Sequence, residues 1–245
     1  LHDVDEARKA FDIARASFER VSFDLIYARQ GQTADAWKAE LAEALSMAAD
    51  HLSLYQLTIE PGTAFWDRQQ AGGLKGLPDE DLAADLFEMT QDLCGAAGLP
   101  AYEVSNHART GSGWRHNLVY LRSGDWVGVG PGAHGRITHG GARRTNAAWL
   151  APGKWLTEAE ADGADETIDA LSEADRADEA LMMGLRLTEG LDVAVLDARA
   201  RDPRFTDAVD DLIEQELLWS RNGRIGTTPA GRMVLNGVIA ALMPG

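Results

Sequence analysis

One cysteine, Cys94, is all that 245 residues contain, so no internal disulfide can form and a reducing, cytoplasmic setting is expected. No apolar run approaches the roughly 20 residues of a membrane-spanning helix. The acidic opening LHDVDEARKA reads as neither signal nor transit peptide. Cations are scarce: 23 Lys and Arg against 39 Asp and Glu leave a net charge of −16. That balance disfavours nucleic acid and anionic lipid surfaces and leaves small molecules and proteins as ligands. The 7 tryptophans are scattered, with no spacing that would build a stacking platform for single strands. What remains is ordinary for a globular protein, with 45% hydrophobic and 25% charged residues, and the length suits one large domain or one medium and one small domain.

The first hundred residues alternate between two hydrophobic periods. Residues 4–19 place Val4, Ala7, Phe11, Ala14 and Phe18 on one helical face. A strand at 21–27 follows, with Asp24 between apolar neighbours. A helix at 34–49 carries Trp37, Leu41 and Leu45, and a second strand covers 52–59. A glycine-containing loop leads to Pro78-Asp79-Glu80-Asp81, whose carboxylates suit a helix start, and that helix ends near Gly98. A third strand is expected at 100–105. Strand and helix repeating in this way signal β/α units on a parallel sheet, with ligands at the strand ends: 27–33, 58–63 and 103–106.

From 171 the pattern is helical with one hairpin. Residues 173–188 form an amphipathic helix ended by Gly190, short helices follow at 193–200 and 205–217, and 218–226 reads as a hairpin turning at Asn222-Gly223. Thr228 caps a last helix with Pro229 at its first position. This is a small winged-helix-like domain. Asp207, Asp210, Asp211, Glu214 and Glu216 in its third helix speak against DNA. Residues 151–170, rich in Ala, Asp, Glu and Gly, are expected to be a linker between 1–150 and 171–245.

Between 102 and 135, YEVSNHARTGSGWRHNLVYLRSGDWVGVGPGAHG gathers glycines, amides and His107, His116 and His134, with His139 just beyond. The histidine spacing fits no zinc signature. His116 and Tyr120 are side chains able to ligate a metal ion, although a histidine bonded to backbone is the commoner case. Gly128, Gly130 and Gly132 either form a tight turn or let a ligand approach the backbone. Asp24 and Glu103 are either ligand contacts or structural carboxylates, and Cys94 reads as a buried small hydrophobe.

Together FDLIY with Gly31-Gln32-Thr33, HLSLYQLTIEPGT, YEVSN, HNLVY, GVGPGAHG, EALMMGLRLTEGLD and TTPAGRMVLN resemble the oxygen-independent coproporphyrinogen III oxidase-like family of radical S-adenosylmethionine proteins, most of all its haem-chaperone (HemW-like) branch. The resemblance implies the C-terminal half of a partial (β/α) barrel, with a glycine-rich extension, followed by that family's C-terminal domain. It implies S-adenosylmethionine contacts at Asp24, Thr58, Glu103, Gly128, Gly130, Gly132 and Ala133, and haem contacts at His116, Asn117 and Tyr120, with His116 on the iron. It further implies a [4Fe–4S] cluster in the intact protein, haem or porphyrin as ligand and a haem-accepting protein as partner. The family's CxxxCxxC motif is absent here, so this stretch is not expected to perform radical chemistry itself. Ala28-Arg29-Gln30 replaces the family's Gly-Leu-Pro turn, and Leu121 stands where the haem-chaperone motif has tryptophan. Oxidative decarboxylation of coproporphyrinogen III and a non-catalytic protein-binding role are the alternative functions.

Overall fold

Side-chain caps start the helices where short polar residues precede apolar periodicity. The computed structural model describes residues 3–161 and 163–243, and its contacts divide the chain into two units, Leu1–Trp114 and Arg115–Gly245. In the first unit Asp3 and Glu6 form a reciprocal capping box for α1 (Val4–Ser17). β1 (Asp24–Tyr27) leads to α2 (Ala34–Met47), whose Ala36 N–H donates to the Thr33 hydroxyl. β2 (His51–Gln56) precedes α3 (Ala64–Gln70), capped by Thr63, and α4 (Glu80–Ala96), capped by Asp79. β3 (Asn106–Ala108) closes a sheet of order β1-β2-β3.

β1 and β2 pair in parallel, as a β/α unit requires. β3 differs from expectation: it begins after 100–105, which is irregular apart from a bridge at Ala101, and it runs antiparallel to β2. The short reach from α4 to β3 includes the turn closed by Glu103, and that turn reverses the approach of the chain. The core lies on one face of the sheet, where Tyr27, Leu52 and Leu54 meet Trp37, Leu41 and Ala44 of α2 and Leu86 and Cys94 of α4. Of the apolar residues of α1 only Phe11 is buried, and Val4 and Phe18 are exposed.

The second unit starts with α5 (Arg115–Leu121) and a three-stranded antiparallel sheet, β4 (His134–His139), β5 (Ala142–Ala148) and β6 (Asp165–Ala170). Two glycines, Gly140 and Gly141, both at positive φ, make the two-residue turn between β4 and β5. α6 (Pro152–Glu160) precedes β6, so the stretch expected to be a linker holds a helix and a strand. Its small and acidic residues suit a helix surface and an exposed edge strand equally well.

The winged-helix pattern follows the sequence closely. α7 (Glu173–Gly184) is capped by Ser172 and Asp175. β7 (Leu191–Asp192), a 3-10 turn over Val193–Leu196, α8 (Asp197–Ala200) and α9 (Pro203–Glu214) come next. The hairpin of β8 (Leu218–Arg221) and β9 (Arg224–Thr227) turns on Asn222 and Gly223, both at positive φ. α10 (Pro229–Met233), capped by Thr228, and α11 (Leu235–Leu242) end the unit. Asp207, Asp210, Asp211 and Glu214 face solvent on α9 and outnumber its one cation, Arg204, which is paired with Asp202, so a nucleic-acid backbone would meet mostly like charge there.

Candidate functional site

The residues expected to bind ligands fall in both units: Asp24, Thr58 and Glu103 in the first, His116 to Ala133 in the second. Directly paired residues of neighbouring strands project from one face of a sheet. The register Asp24↔Ser53 and Ser53↔Asn106 therefore sets a carboxylate, a hydroxyl and an amide in a row. Ile26 and Tyr55, the next pair on that face, are both exposed. α2 and α4 pack on the opposite face; within this row Asp24 is exposed and Ser53 and Asn106 are buried.

Asp24 is exposed, although its neighbours in the strand are apolar. It sits on the uncovered side and bears no large desolvation cost. Thr58, two residues past the end of β2, is also exposed. Glu103 is buried and engaged locally: one carboxylate oxygen accepts from the Ser105 N–H at 2.8 Å and the Asn106 amide at 2.5 Å. That bonding makes Glu103 a turn-closing residue. Asn106, at the end of the 103–106 stretch expected to meet ligands but not named as a contact, is only 5% exposed and its Oδ1 has no hydrogen-bond partner. A buried acceptor left bare is costly unless a ligand or water completes it. The sequence signal was present in its place beside Glu103.

The loop after β1 keeps a left-handed residue although the family's glycine is absent. Ala28 has φ +59° and is buried, a conformation that costs an L-residue about 1–2 kcal/mol. Arg29 stabilises the turn by donating to the Ile26 carbonyl at 2.8 Å and to both carboxylate oxygens of Glu40 at 3.0 and 2.6 Å.

In the second unit HNLVY is helical. Positions 116 and 120 are one turn apart on α5, so their side chains meet. Tyr120 Oη lies 2.5 Å from His116 Nε2 and 3.1 Å from Nδ1, and the rings meet edge to face at 4.6 Å. His116 is exposed, Tyr120 and Asn117 are half-buried, and Leu121 is buried. The far side of Tyr120 rests against Trp126, at 4.8 Å and 86°.

Trp126 opens the glycine-rich hairpin. Its backbone pairs with that of Arg136, and Asp125 accepts from the Thr138 N–H and hydroxyl, which hold its carboxyl below the usual range. Gly128 lies where this arm crosses β4: a methyl group there would come within 2.5 Å of the His134 carbonyl oxygen. Gly130 and Gly132 have φ of +109° and +69° and make the turn around Pro131. Val127 and Val129 project into solvent on either side of Gly128, and Ala133 N–H donates to the Gly130 carbonyl. Gly128 is thus required for close packing of two backbones. Gly128→Ala should lower stability by about 1–3 kcal/mol in urea unfolding. A loss below about half a kcal/mol, within the range of ordinary surface changes, would show that the two arms are not in contact.

A [4Fe–4S] cluster does not fit the residues present. Cys94 is fully buried in the α4 core and burial pushes its thiol up to about 12, whereas a cluster needs several accessible thiolates. The described residues contain no group of three or more His, Cys, Asp or Glu able to hold a metal ion. No helix among them is long and apolar enough to cross a membrane.

Comparison with known proteins agrees with these features. Residues 171–234 match the model of the HemN C-terminal domain. The chain is 34% identical to mouse "Radical S-adenosyl methionine domain-containing protein 1, mitochondrial" over 99% of its own length and 58% of that protein. It is 31% identical to "Heme chaperone HemW" of Bacillus subtilis, over 99% of this chain and 64% of that one. The HemW of Mycobacterium tuberculosis (strain H37Rv) is 34% identical, over 97% and 58%. The chain thus spans about three fifths of these relatives. A solved structure, coproporphyrinogen III oxidase (HemN) from Escherichia coli, described as a radical SAM enzyme, superposes with a TM-score of 0.76 at 17% identity, covering 99% of this chain and 59% of that one. At that identity the likeness shows a shared α/β fold.

Proposed function

The chain belongs, over part of that family's length, to the HemN/HemW-like radical S-adenosylmethionine proteins, and from that premise we propose that it is the portion of a haem chaperone that holds haem and presents it to an acceptor protein. The observation that carries this reading is the His116–Tyr120 pair. Two side chains able to bind iron stand one helical turn apart at the surface, already turned toward each other. A deeply enclosed ligand pair would suit a resident prosthetic group. A pair open to solvent on its His116 side suits a cargo that must leave for a second protein.

Asn117, next to His116 and half-buried, lies within reach of the same ligand. S-adenosylmethionine and the [4Fe–4S] cluster are, in this reading, cofactors of the longer protein. In the first unit the adenosyl cofactor would meet Asp24 and Thr58, and Asn106 offers it a buried acceptor without a partner; in the second, the turn Gly128 to Ala133 is by resemblance a contact for the same cofactor. The lone buried cysteine fits a reducing compartment, the bacterial cytoplasm or its organellar counterpart.

Hemin titrated into the 245-residue chain should produce a saturable Soret shift, and His116→Ala should weaken binding severalfold, on the order of the loss of one axial ligand. An unchanged titration removes His116 from the site. Anaerobic incubation of the longer protein with coproporphyrinogen III tests the other branch: porphyrin formed at a catalytic rate would replace the chaperone reading with the oxidase one.

A further inference from the structure

We propose that Trp126 is the positioning residue of the His116–Tyr120 pair: its indole is the wall that holds the Tyr120 phenol on the imidazole. This deepens the haem reading above and rests on it for its ligand, but the positioning itself can be tested without haem.

Tyr120 is held between two rings. On one side is His116, at 4.6 Å and 79°, and on the other Trp126, at 4.8 Å and 86°. Edge-to-face contacts of this kind favour one ring orientation over the other rotamers open to a half-buried tyrosine. The two neighbours are unequal. His116 is exposed in the first turn of a seven-residue helix, and its ring is met by Tyr120 alone among the described residues' ring contacts.

Trp126 is fixed from several directions. Its Nε1 donates to the His134 carbonyl at 2.9 Å, and its backbone N–H and carbonyl both pair with Arg136, at 2.8 and 2.9 Å. The guanidinium carbons of Arg136 and Arg143 lie 5.4 and 5.8 Å from its ring centroid, where cations are attracted to the indole face. Those cations are themselves tied down. Arg136 binds the Glu179 carboxylate on α7 and the Thr145 hydroxyl, and Arg143 donates to the Ser123 and Gly124 carbonyls and to Asp125. The order of support therefore runs from sheet and α7 to Trp126, then to Tyr120, then to His116.

Position 121 points to the same conclusion. The resemblance expects an aromatic residue directly after Tyr120, but that position holds Leu121, which is buried. The aromatic neighbour of Tyr120 comes instead from five residues further on, through the hairpin that brings Trp126 back beside α5.

The test reads the imidazole nitrogens of His116 by 15N NMR in the labelled 245-residue chain. Trp126→Ala should move the His116 signals to the position they take in Tyr120→Phe, where the phenol bond is gone, and Trp126→Phe should restore them. Trp126→Leu, which keeps the bulk and loses the ring, serves if the alanine variant does not fold, with the same expectation. In hemin titrations Trp126→Ala should weaken binding about fivefold, the scale of an aromatic-pair contact. The double variant with Tyr120→Phe should bind no more weakly than Tyr120→Phe alone, because both changes remove one interaction. An unaltered His116 spectrum in Trp126→Ala and Trp126→Leu overturns the proposal, as does strict additivity in the double variant. If the parent chain binds no hemin while the imidazole signals move as expected, the haem reading falls and the positioning role stands.

Discussion

Trp37→Ala is expected to destabilise the first unit by about 3–5 kcal/mol, the range for truncating a buried aromatic residue. Trp37 is 0% exposed and occupies the contact between α2 and the covered face of the sheet. Its ring stacks on Tyr27 at 4.9 Å and 14°, and its Nε1 donates to the Thr90 hydroxyl at 2.9 Å. Thr90 in turn donates to the Leu86 carbonyl, which links α2 to α4 through the indole. Removal of the indole would leave a cavity at the junction of β1, α2 and α4, and the Thr90 oxygen would lose its donor. Against a whole stability of about 5–15 kcal/mol for a domain, the variant stands near the threshold of folding. Trp37→Phe keeps a ring against Tyr27 and should lose only about 1–2 kcal/mol. Urea unfolding by circular dichroism measures both, and a loss under about 1 kcal/mol for the alanine variant would mean that this core is not packed as described.

Acid is expected to weaken the same unit through His51. This side chain, 1% exposed at the start of β2, has Nδ1 2.8 Å from the Ser22 hydroxyl and Nε2 3.1 Å from the Tyr102 hydroxyl. Trp114 lies edge-on to it at 5.5 Å, and Arg20, in a salt bridge with Asp50, stacks over Trp114. Burial lowers the His51 pKa to about 4; Asp50 and Asp24 oppose that shift and Arg20 adds to it. The unfolded chain titrates near 6.5 and so takes up its proton first. Stability from this group is complete above about pH 6.5 and declines as the pH falls toward 4, by about 3 kcal/mol in all. The comparison is with His51→Gln, which can bond both hydroxyls but does not titrate there. Denaturation midpoints from pH 7.5 to 4.5 should fall more steeply for the parent than for the variant. Equal slopes would show that His51 carries no buried neutral imidazole, the remaining acid sensitivity then belonging to carboxylates.

Local chemistry made much of the architecture readable. Asp79 and Thr228 cap the helices they precede, and Asn222-Gly223 turns the wing. Each depends on residues within four positions of one another. Other local signals are as short-ranged: Thr33 and Ser172 cap α2 and α7, Thr63 caps the short α3 within the loop after β2, and Gly140-Gly141 turns the β4–β5 hairpin.

By itself the sequence determined the alternation of elements, their caps and turns, and which residues could act chemically, because propensity and periodicity act over a few residues. The tertiary structure decided which of those residues stand together and which way they face. It turned Asp24 outward, spent Glu103 on a local turn, left the Asn106 oxygen bare and ran β3 against β2. It also brought Trp126 beside Tyr120 across a hairpin closed by Arg136. These outcomes depend on strand register and on contacts between distant segments, which no local pattern encodes.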